Sequence, residues 1–325
     1  MRCEPACGVF VASLVGCVAA GPWLIRRLTA LGSLQPVRHE DCPPLMPYQQ
    51  AKRGTPMMGG VLLAAIAALA AAWGGGLASR DGWLLLAALA AFGGIGLVDD
   101  WLKLRRPNAK GLAGRQKFWA AIAVAAVIGL AIPAEARRVL VPWTGRAVEL
   151  QGLWLPFAVV VLTGTSHAVN LTDGMDGLAA GCLAMAFLAL GAWSFIGASN
   201  PITGVWSVSL AGACVGFLWF NGAPATVFLG DVGALGLGGV LGVLALLSQS
   251  ALALVIIGGV FVAETVSVML QVASYRWRRR RRIFRVAPLH HHFQVGGMPE
   301  PKVVVRFWIV GALLAVLGVA ALARS

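Results

Sequence analysis

The sequence predicts an all-α, polytopic integral membrane protein with about ten transmembrane helices and both termini outside. Three observations carry that prediction. Hydrophobic residues make up 58% of the 325 and charged residues only 12%, where an ordinary soluble domain carries about 25%. The apolar residues gather into runs of roughly 18 to 22, long enough to cross the hydrocarbon core as helices, and mean hydropathy is +0.80. The basic residues of this chain, whose net charge is +13, collect on alternate loops.

The spans are expected near 8–25, 58–78, 82–99, 118–134, 153–170, 177–197, 203–220, 232–248, 251–273 and 303–322. No group of basic residues precedes the first, and Arg26 and Arg27 follow it, so it reads as a retained span rather than a signal peptide. With ten spans, the loops after the first, third, fifth, seventh and ninth share a side. That side holds 20 of the 26 Lys and Arg: Arg26, Arg27, Arg38, Lys52, Arg53, Lys103, Arg105, Arg106, Lys110, Arg115, Lys117, Lys302, Arg306 and the seven within 276–285. Arg2, Arg80, Arg137, Arg138, Arg146 and Arg324 fall on the other side. The positive-inside rule then makes the first set of loops cytoplasmic. Residues 1–325 read as one transmembrane domain with cytoplasmic loops at about 26–57, 99–117, 170–177, 220–232 and 274–302. Six cysteines, at 3, 7, 17, 42, 182 and 214, lack metal-ligand spacing. Cys3 and Cys7 could pair if exported, but small apolar-helix residues are the preferred reading.

The cytoplasmic loops carry the chemistry. The densest stretch is 170–181, NLTDGMDGLAAG, after the fifth span. Asn170, Asp173 and Asp176 are three apart and would line one side of a helix. The glycines at 174, 177 and 181 let a helix or a phosphate approach closely. A hydrophilic turn capped by Asp and Gly is the plainer reading of this stretch alone, yet charges closing an apolar run are costly without partners.

Earlier, in 52–60, KRGTPMMGG, Lys52, Arg53, Thr55 and the glycine-flanked turn form a candidate anion cradle. Basic flanks and a proline in the first helical turn explain it equally well. The third span ends in VDDWLK. Asp99 faces Lys103 at i and i+4, which accounts for one acid but not for Asp100. Paired carboxylates beside cations are what Mg²⁺-assisted phosphate chemistry requires. Lys110, Arg115 and Lys117 follow, as a lipid-headgroup face or a phosphate clamp.

The loop 221–233 holds one acid, Asp231, between glycines at the mouth of the eighth span, where an N-cap is the plain reading. Asn221 and Phe228 offer an amide and an aromatic face to a nucleobase. Glu264 lies inside the ninth span, either paired with a buried cation or protonated. The arginine run behind it reads as an anionic-lipid contact rather than a nucleic-acid patch, because it lies directly cytoplasmic of a span. His290, His291 and His292 leave metal ligation, phosphate contact and acid–base work open.

The segments KRGTPMMGG, VDDWLK, AVNLTDGMDGLAAG, FLWFNGAPATVFLGDVGAL, PLHHHF and PEPKVVVRFW occur in order from about residue 50 to 310. Together they closely resemble the phospho-N-acetylmuramoyl-pentapeptide transferases of bacterial peptidoglycan synthesis (the MraY family). The wider superfamily of polyprenyl-phosphate N-acetylhexosamine-1-phosphate transferases shares the acidic motifs, and the last two segments point to the muramoyl branch. Met57 stands where the family usually has Thr, His167 where Asn is usual, Ala234 for Ser and Gln294 for Glu. Gly296 and Gly297 replace a Lys-Gly-Trp-like stretch. None of these removes a principal acid or a histidine of the triplet.

The resemblance implies ten spans, a homodimer, Mg²⁺ and an active site on the cytoplasmic face of the bacterial inner membrane. It implies transfer of phospho-MurNAc-pentapeptide from UDP-MurNAc-pentapeptide to undecaprenyl phosphate, giving lipid I and UMP. Phosphoryl-transfer chemistry then suggests roles. Asp231, with Asp100, would hold Mg²⁺, and Asp99 would take the proton of the lipid phosphate. Asn170, Asp173 and Asp176 would organise the nucleotide and the metal's surroundings. Lys52, Lys117 and the three histidines would contact phosphates, with Thr55 in the cradle. A covalent route through Asp231 stays open. Membrane lipids are the other expected partners, and nucleic acid is not expected. A sister transferase using UDP-N-acetylglucosamine would keep the acids and differ in the histidine loop. A transporter would place acids near midplane within inverted repeats, which this chain lacks. A purely structural role leaves the polar motifs of one face unexplained.

The charge asymmetry generates a topological prediction. A cysteine placed at Ile283 should react with an impermeant maleimide only from the cytoplasmic side, and one at Trp143 only from outside. Labelling of position 283 from outside would invert the assignment.

Overall fold

The computed structural model describes residues 4–34, 43–105, 111–198, 200–278 and 280–323. Arg2, Cys3, Arg38, Cys42, Arg106, Lys110, Arg279 and Arg324, singled out above, lie outside the described residues. The chain runs through α1 (Glu4–Ala30), α2 (Met46–Ala51), α3 (Gly60–Trp73), α4 (Arg80–Arg105), α5 (Gly114–Ala131), β1 (Arg138–Val141) and β2 (Arg146–Glu149). It continues through α6 (Trp154–Thr172), α7 (Leu178–Ile196), α8 (Pro201–Asn221), α9 (Gly230–Leu247), α10 (Ala251–Ile257), α11 (Gly259–Trp277), α12 (Leu289–Val295) and α13 (Glu300–Ala323). Nine of the ten expected apolar runs fall mainly on single helices and the other on a bent pair, and the all-α polytopic class is borne out. Among the described residues seven helices are long and apolar enough to cross a membrane, and an eighth if the bent pair α10–α11 is one span.

Two features differ from the sequence reading. The run expected to span at 251–273 is broken at Gly258, and α10 and α11 meet at 83°. Gly258 closes α10, its N–H donating to the Leu254 carbonyl at 2.7 Å. Residues 138–149 form a two-stranded antiparallel hairpin pairing Arg138 with Glu149. It is pinned by Leu140 N–H to the Gln249 carbonyl (3.0 Å), just past the end of α9, and by Trp143 N–H to the Ala321 carbonyl (2.9 Å), in the last turn of α13, at the helix ends away from Asp231 and Glu300. Among the described cysteines Cys17, Cys182 and Cys214 are buried thiols and Cys7 an exposed one.

The axis of the fold is α9, of which 94% lies inside the protein. Helices α3, α4 and α6 pack against it, α1 and α7 flank α8, and α13 covers α7. Association of helices inside a bilayer relies on close packing and interhelical hydrogen bonds. Both are present. The Ser166 hydroxyl donates to the Leu235 carbonyl (3.0 Å), and that of Ser209 to the Ala67 carbonyl (2.6 Å). Glycines bring the backbones together at two decisive places. A Cβ on Gly60 would lie 2.2 Å from the Gly233 Cα, and one on Gly96 would lie 2.1 Å from the Asp231 carbonyl oxygen. The loops then zip together: Phe228 N–H donates to the Pro56 carbonyl, Gly59 N–H to the Phe228 carbonyl and Gly60 N–H to the Leu229 carbonyl, each at 2.8 Å. This ladder sets the 52–60 loop beside the mouth of α9.

The close approach at Gly96 can be tested against a neighbour. A Cβ at Gly94 meets nothing within 4 Å. Gly96→Ala should destabilise by about 1–3 kcal/mol, the usual range for overpacking, seen as a Tm several degrees lower in detergent. Gly94→Ala should leave Tm unchanged, and equal losses would show that the contact is not limiting.

Candidate active site

The packing of α4 on α9 brings the acids at the end of α4 against the acid at the start of α9. Carboxylate oxygens of Asp99, Asp100 and Asp231 lie within 4.8 Å of one another. The Asp99 and Asp100 side chains are sealed from solvent, so the cluster stands only if cations enter it. Lys103, one helical turn along α4, puts Nζ 2.6 Å from Asp99 Oδ2, 3.1 Å from Asp100 Oδ1 and 3.0 Å from Asp231 Oδ2. Lys117, in the first turn of α5, lies 2.7 Å from Asp231 Oδ2 and 3.2 Å from Asp99 Oδ2. The remaining oxygens are held by neutral donors. Leu112 N–H donates to Asp99 Oδ1 (2.6 Å), Val232 N–H to Asp100 Oδ2 (3.1 Å) and Asn170 Nδ2 to Asp231 Oδ1 (2.9 Å). Three carboxylates against two ammonium groups leave one negative charge, in a nest of hard oxygens suited to a divalent cation.

Lys103 and Asp231 also line a cavity of about 280 Å³, whose walls include Tyr48, Lys52, Asp173, Asp176, Phe228 and His291. A second polar network ties its wall together. Lys52 Nζ lies 2.6 Å from Asp176 Oδ1 and also bonds Glu300 Oε1. Glu300 Oε1 accepts Asp176 N–H (2.8 Å), Glu300 Oε2 accepts Gln294 Nε2 (3.2 Å), and Asp176 Oδ2 accepts Ala225 N–H (3.0 Å). Lys52 also stands 5.8 Å from the centre of the Phe228 ring, a cation over an aromatic face. His291 Nδ1 meets Gln294 Oε1 at 3.0 Å. Burial and then the neighbouring His290 hold His291 down to about 3, so it is a neutral imidazole at ordinary pH. Burial, then the charges of Asp231 and Asp100, push Asp173 up to about 7, against the pull of Lys52 and of the Gly230 N–H.

The expected residues thus separate into groups. Lys52, Asp173, Asp176, Phe228, Asp231 and His291 face the cavity. Off the cavity, Lys117 and Asn170 bond Asp231 directly, and Asp99 and Asp100 are joined to it through Lys103 and Lys117. Thr55 sits off the cavity, its N–H closing a turn onto the Lys52 carbonyl (3.3 Å). Asn221 is buried and donates to the Val227 carbonyl (2.9 Å), which shapes the loop. His290 is buried against Glu264 (3.0 Å), and His292 Nδ1 accepts the Arg285 N–H (3.1 Å). The expectation that Asn170, Asp173 and Asp176 share one helix face is corrected. Helix α6 stops at Thr172, and Gly177, with φ +75°, precedes α7. The three therefore reach different partners. Glu300 and Gln294 were not anticipated, although an acid opening a span among basic loops is the signal that drew attention to Asp231.

Asp173 yields a pH prediction. Its raised pKa means that the native state keeps a proton that the unfolded chain releases between about pH 4 and pH 7, so stability falls as pH rises through that window. Asp173→Asn removes this term. The variant's gain in Tm over the parent, in detergent without divalent cations, should be larger at pH 8 than at pH 5. An equal difference at both would exclude Asp173 as the titrating group.

Comparison with known proteins agrees with this geometry. A family model described as Glycosyl transferase family 4 matches residues 82–249, which include Asp99, Asp100, Lys103, Lys117, Asn170, Asp173, Asp176 and Asp231. Bacterial proteins named phospho-N-acetylmuramoyl-pentapeptide-transferase are similar along nearly the whole chain. That of Citrifermentans bemidjiense is 39% identical, covering 96% of this chain and 91% of its own. That of Solidesulfovibrio magneticus is 41% identical over 95% and 90%, and that of Thermodesulfovibrio yellowstonii 41% over 91% and 86%. With the acids, lysines and histidine loop all inside the shared length, this chain belongs to glycosyl transferase family 4 and, within it, to the phospho-N-acetylmuramoyl-pentapeptide transferases.

Proposed function

We propose that the cavity beside Asp231 receives UDP-MurNAc-pentapeptide and that the chain transfers its phospho-MurNAc-pentapeptide group to undecaprenyl phosphate, giving lipid I and UMP. The observation that carries this reading is the convergence of Asp231 and Lys103 at a cavity whose walls hold Lys52, Phe228 and His291. A nucleotide diphosphate requires cations for its phosphates and a flat apolar face for its base, and these residues supply both. At about 280 Å³ the cavity fits part of the donor, so the peptide lies outside it. An apolar groove of about 260 Å³ runs between α6, α9 and the bent pair α10–α11, lined by Val160, Val161, Leu254, Phe261 and Val266. It supports a place for the polyprenyl chain beside the charged cluster. The family resemblance and the basic loops support a cytoplasmic-facing site in a bacterial inner-membrane homodimer.

The donor set fits Mg²⁺, since its oxygens converge and carry one negative charge beyond the two lysines. Asp231 and Asp100 would hold the ion, which when bound supplies neutralisation of charge on the diphosphate and the departing UMP. The other roles belong to side chains of this chain. Asn170 fixes the rotation of the Asp231 carboxylate. Lys103 and Lys117, paired with carboxylates in the absence of substrate, can exchange them for phosphate oxygens. That exchange frees Asp99 to take the proton of a phosphate monoester, whose second pKa is near 6. The dianion then attacks in line, displacing UMP. Direct attack is preferred over a covalent Asp231 route because a bound lipid phosphate is already a competent nucleophile.

Purified protein in detergent with undecaprenyl phosphate should release UMP from UDP-MurNAc-pentapeptide, not from UDP-N-acetylglucosamine, and only with Mg²⁺. Asp231→Asn should stay folded and lose turnover by about 100-fold or more, as when an electrostatic partner of the transition state is removed. Turnover on UDP-N-acetylglucosamine alone would move the chain to the sister branch. A stoichiometric burst of UMP without acceptor would favour the covalent route.

A further inference from the structure

Glu264 lies within α11, fully buried, and nothing in the reaction above uses it. An acid in an apolar helix needs a partner, and such residues are rarely idle. Its partner is His290, also fully buried. Glu264 Oε2 lies 3.0 Å from His290 Nδ1, and the two carboxylate oxygens accept the His290 backbone N–H at 3.1 and 3.4 Å. One carboxylate thereby holds both the ring of His290 and an otherwise unpaired N–H in the first turn of α12. The Nδ1 contact is one of distance without hydrogen-bond angles, and the far nitrogen of the ring, Nε2, is buried with no hydrogen-bond partner at all. It faces the turn between α6 and α7. A Cβ on Gly174 would lie 2.3 Å from His290 Nε2 and 3.3 Å from His291 Nε2. The two imidazole rings are 4.1 Å apart, centre to centre. Gly174 and His291 line the cavity, whereas Glu264 and His290 stand behind them.

We propose that Glu264 is a positioning residue for the transfer reaction. By gripping His290 at backbone and ring, it fixes the rotation of α12 and hence the face that His291 turns toward the donor. Gly174 leaves the space into which the two rings fit. The arrangement extends by one residue the carboxylate–imidazole pairs that orient metal-bound histidines, whose loss typically costs about 10–100-fold: here the carboxylate holds His290, and His290 in turn sets its neighbour His291. The proposal rests on the donor reading of the cavity.

Glu264→Gln keeps an acceptor for the backbone N–H and removes the charge facing Nδ1. It should lower kcat/KM for the UDP-sugar by about tenfold and leave KM for undecaprenyl phosphate within about twofold. Because Glu264 acts through His291, the double variant Glu264→Gln, His291→Ala should be no worse than His291→Ala alone. Losses that multiply, or a Glu264→Gln enzyme with parental kcat/KM, would overturn the proposal. If Glu264→Gln does not fold, His290→Asn takes its place in the same cycle. Nitrogen-15 spectra of the imidazoles give a readout independent of turnover, and the chain has only five histidines. The parent should show a protonated Nδ1 at His290 that shifts in Glu264→Gln, and an unmoved signal would overturn the contact. A parent that shows this shift but does not turn over UDP-MurNAc-pentapeptide keeps the Glu264–His290 pair and refutes the donor reading instead.

Discussion

The pairing of Lys103 and Lys117 with Asp99, Asp100 and Asp231 is the constraint on which the rest of this structure depends. Five charged side chains meet at the end of an apolar bundle, two of the acids cut off from solvent. Removing one of the two lysines from such a group leaves uncompensated buried carboxylates, at about 3–5 kcal/mol. The ends of α4, α5, α6 and α9 are therefore held in register by electrostatics, and Asn170 adds a neutral tie to Asp231. The same lysines that keep the acids together are the cations a diphosphate requires. A site of this kind is assembled without substrate, its two lysines already held in place by carboxylates.

That cluster can form only because the backbones come unusually close. Gly96 meets the Asp231 carbonyl, and Gly60 meets Gly233, at distances no side chain permits. The glycine-rich α9 is thus a groove for its neighbours as well as an apolar rod. Its first turn is also fixed by the ladder between 56–60 and 228–229, which carries Lys52 toward the same cavity. Packing inside the bilayer and chemistry at its edge are two consequences of one set of small residues.

The histidine loop shows how a short helix divides labour. Consecutive positions on α12 point about 100° apart. His290 turns inward to Glu264, His291 turns to the cavity, and His292 turns back to the Arg285 backbone. The break at Gly258 gives α11 its own direction, so Glu264 meets α12 rather than lipid. Tyr48 and Lys52 reach the same region from α2 and the loop after it, through Gln294 and Glu300. The wall of the cavity is therefore built from segments at both ends of the chain.

Composition and apolar run length by themselves determined the class, because backbone groups in lipid must be satisfied within helices and the runs are long enough to cross. The placement of charges at span ends singled out Asp99, Asp100, Asp173, Asp176 and Asp231, since an acid beside an apolar run has a cost that invites a function. The i, i+4 spacing of Asp99 and Lys103 was readable from one helix. What only the tertiary structure decided is which groups meet across the chain. Lys103 reaches Asp231 across 128 positions, Lys52 reaches Glu300 across 248, and Glu264 reaches His290 across 26. Periodicity describes the face of one helix and contains no information about which face it meets. For that reason Glu300 went unnoticed, the shared helix face for Asn170, Asp173 and Asp176 failed at the glycines after Thr172, and three adjacent histidines took three directions.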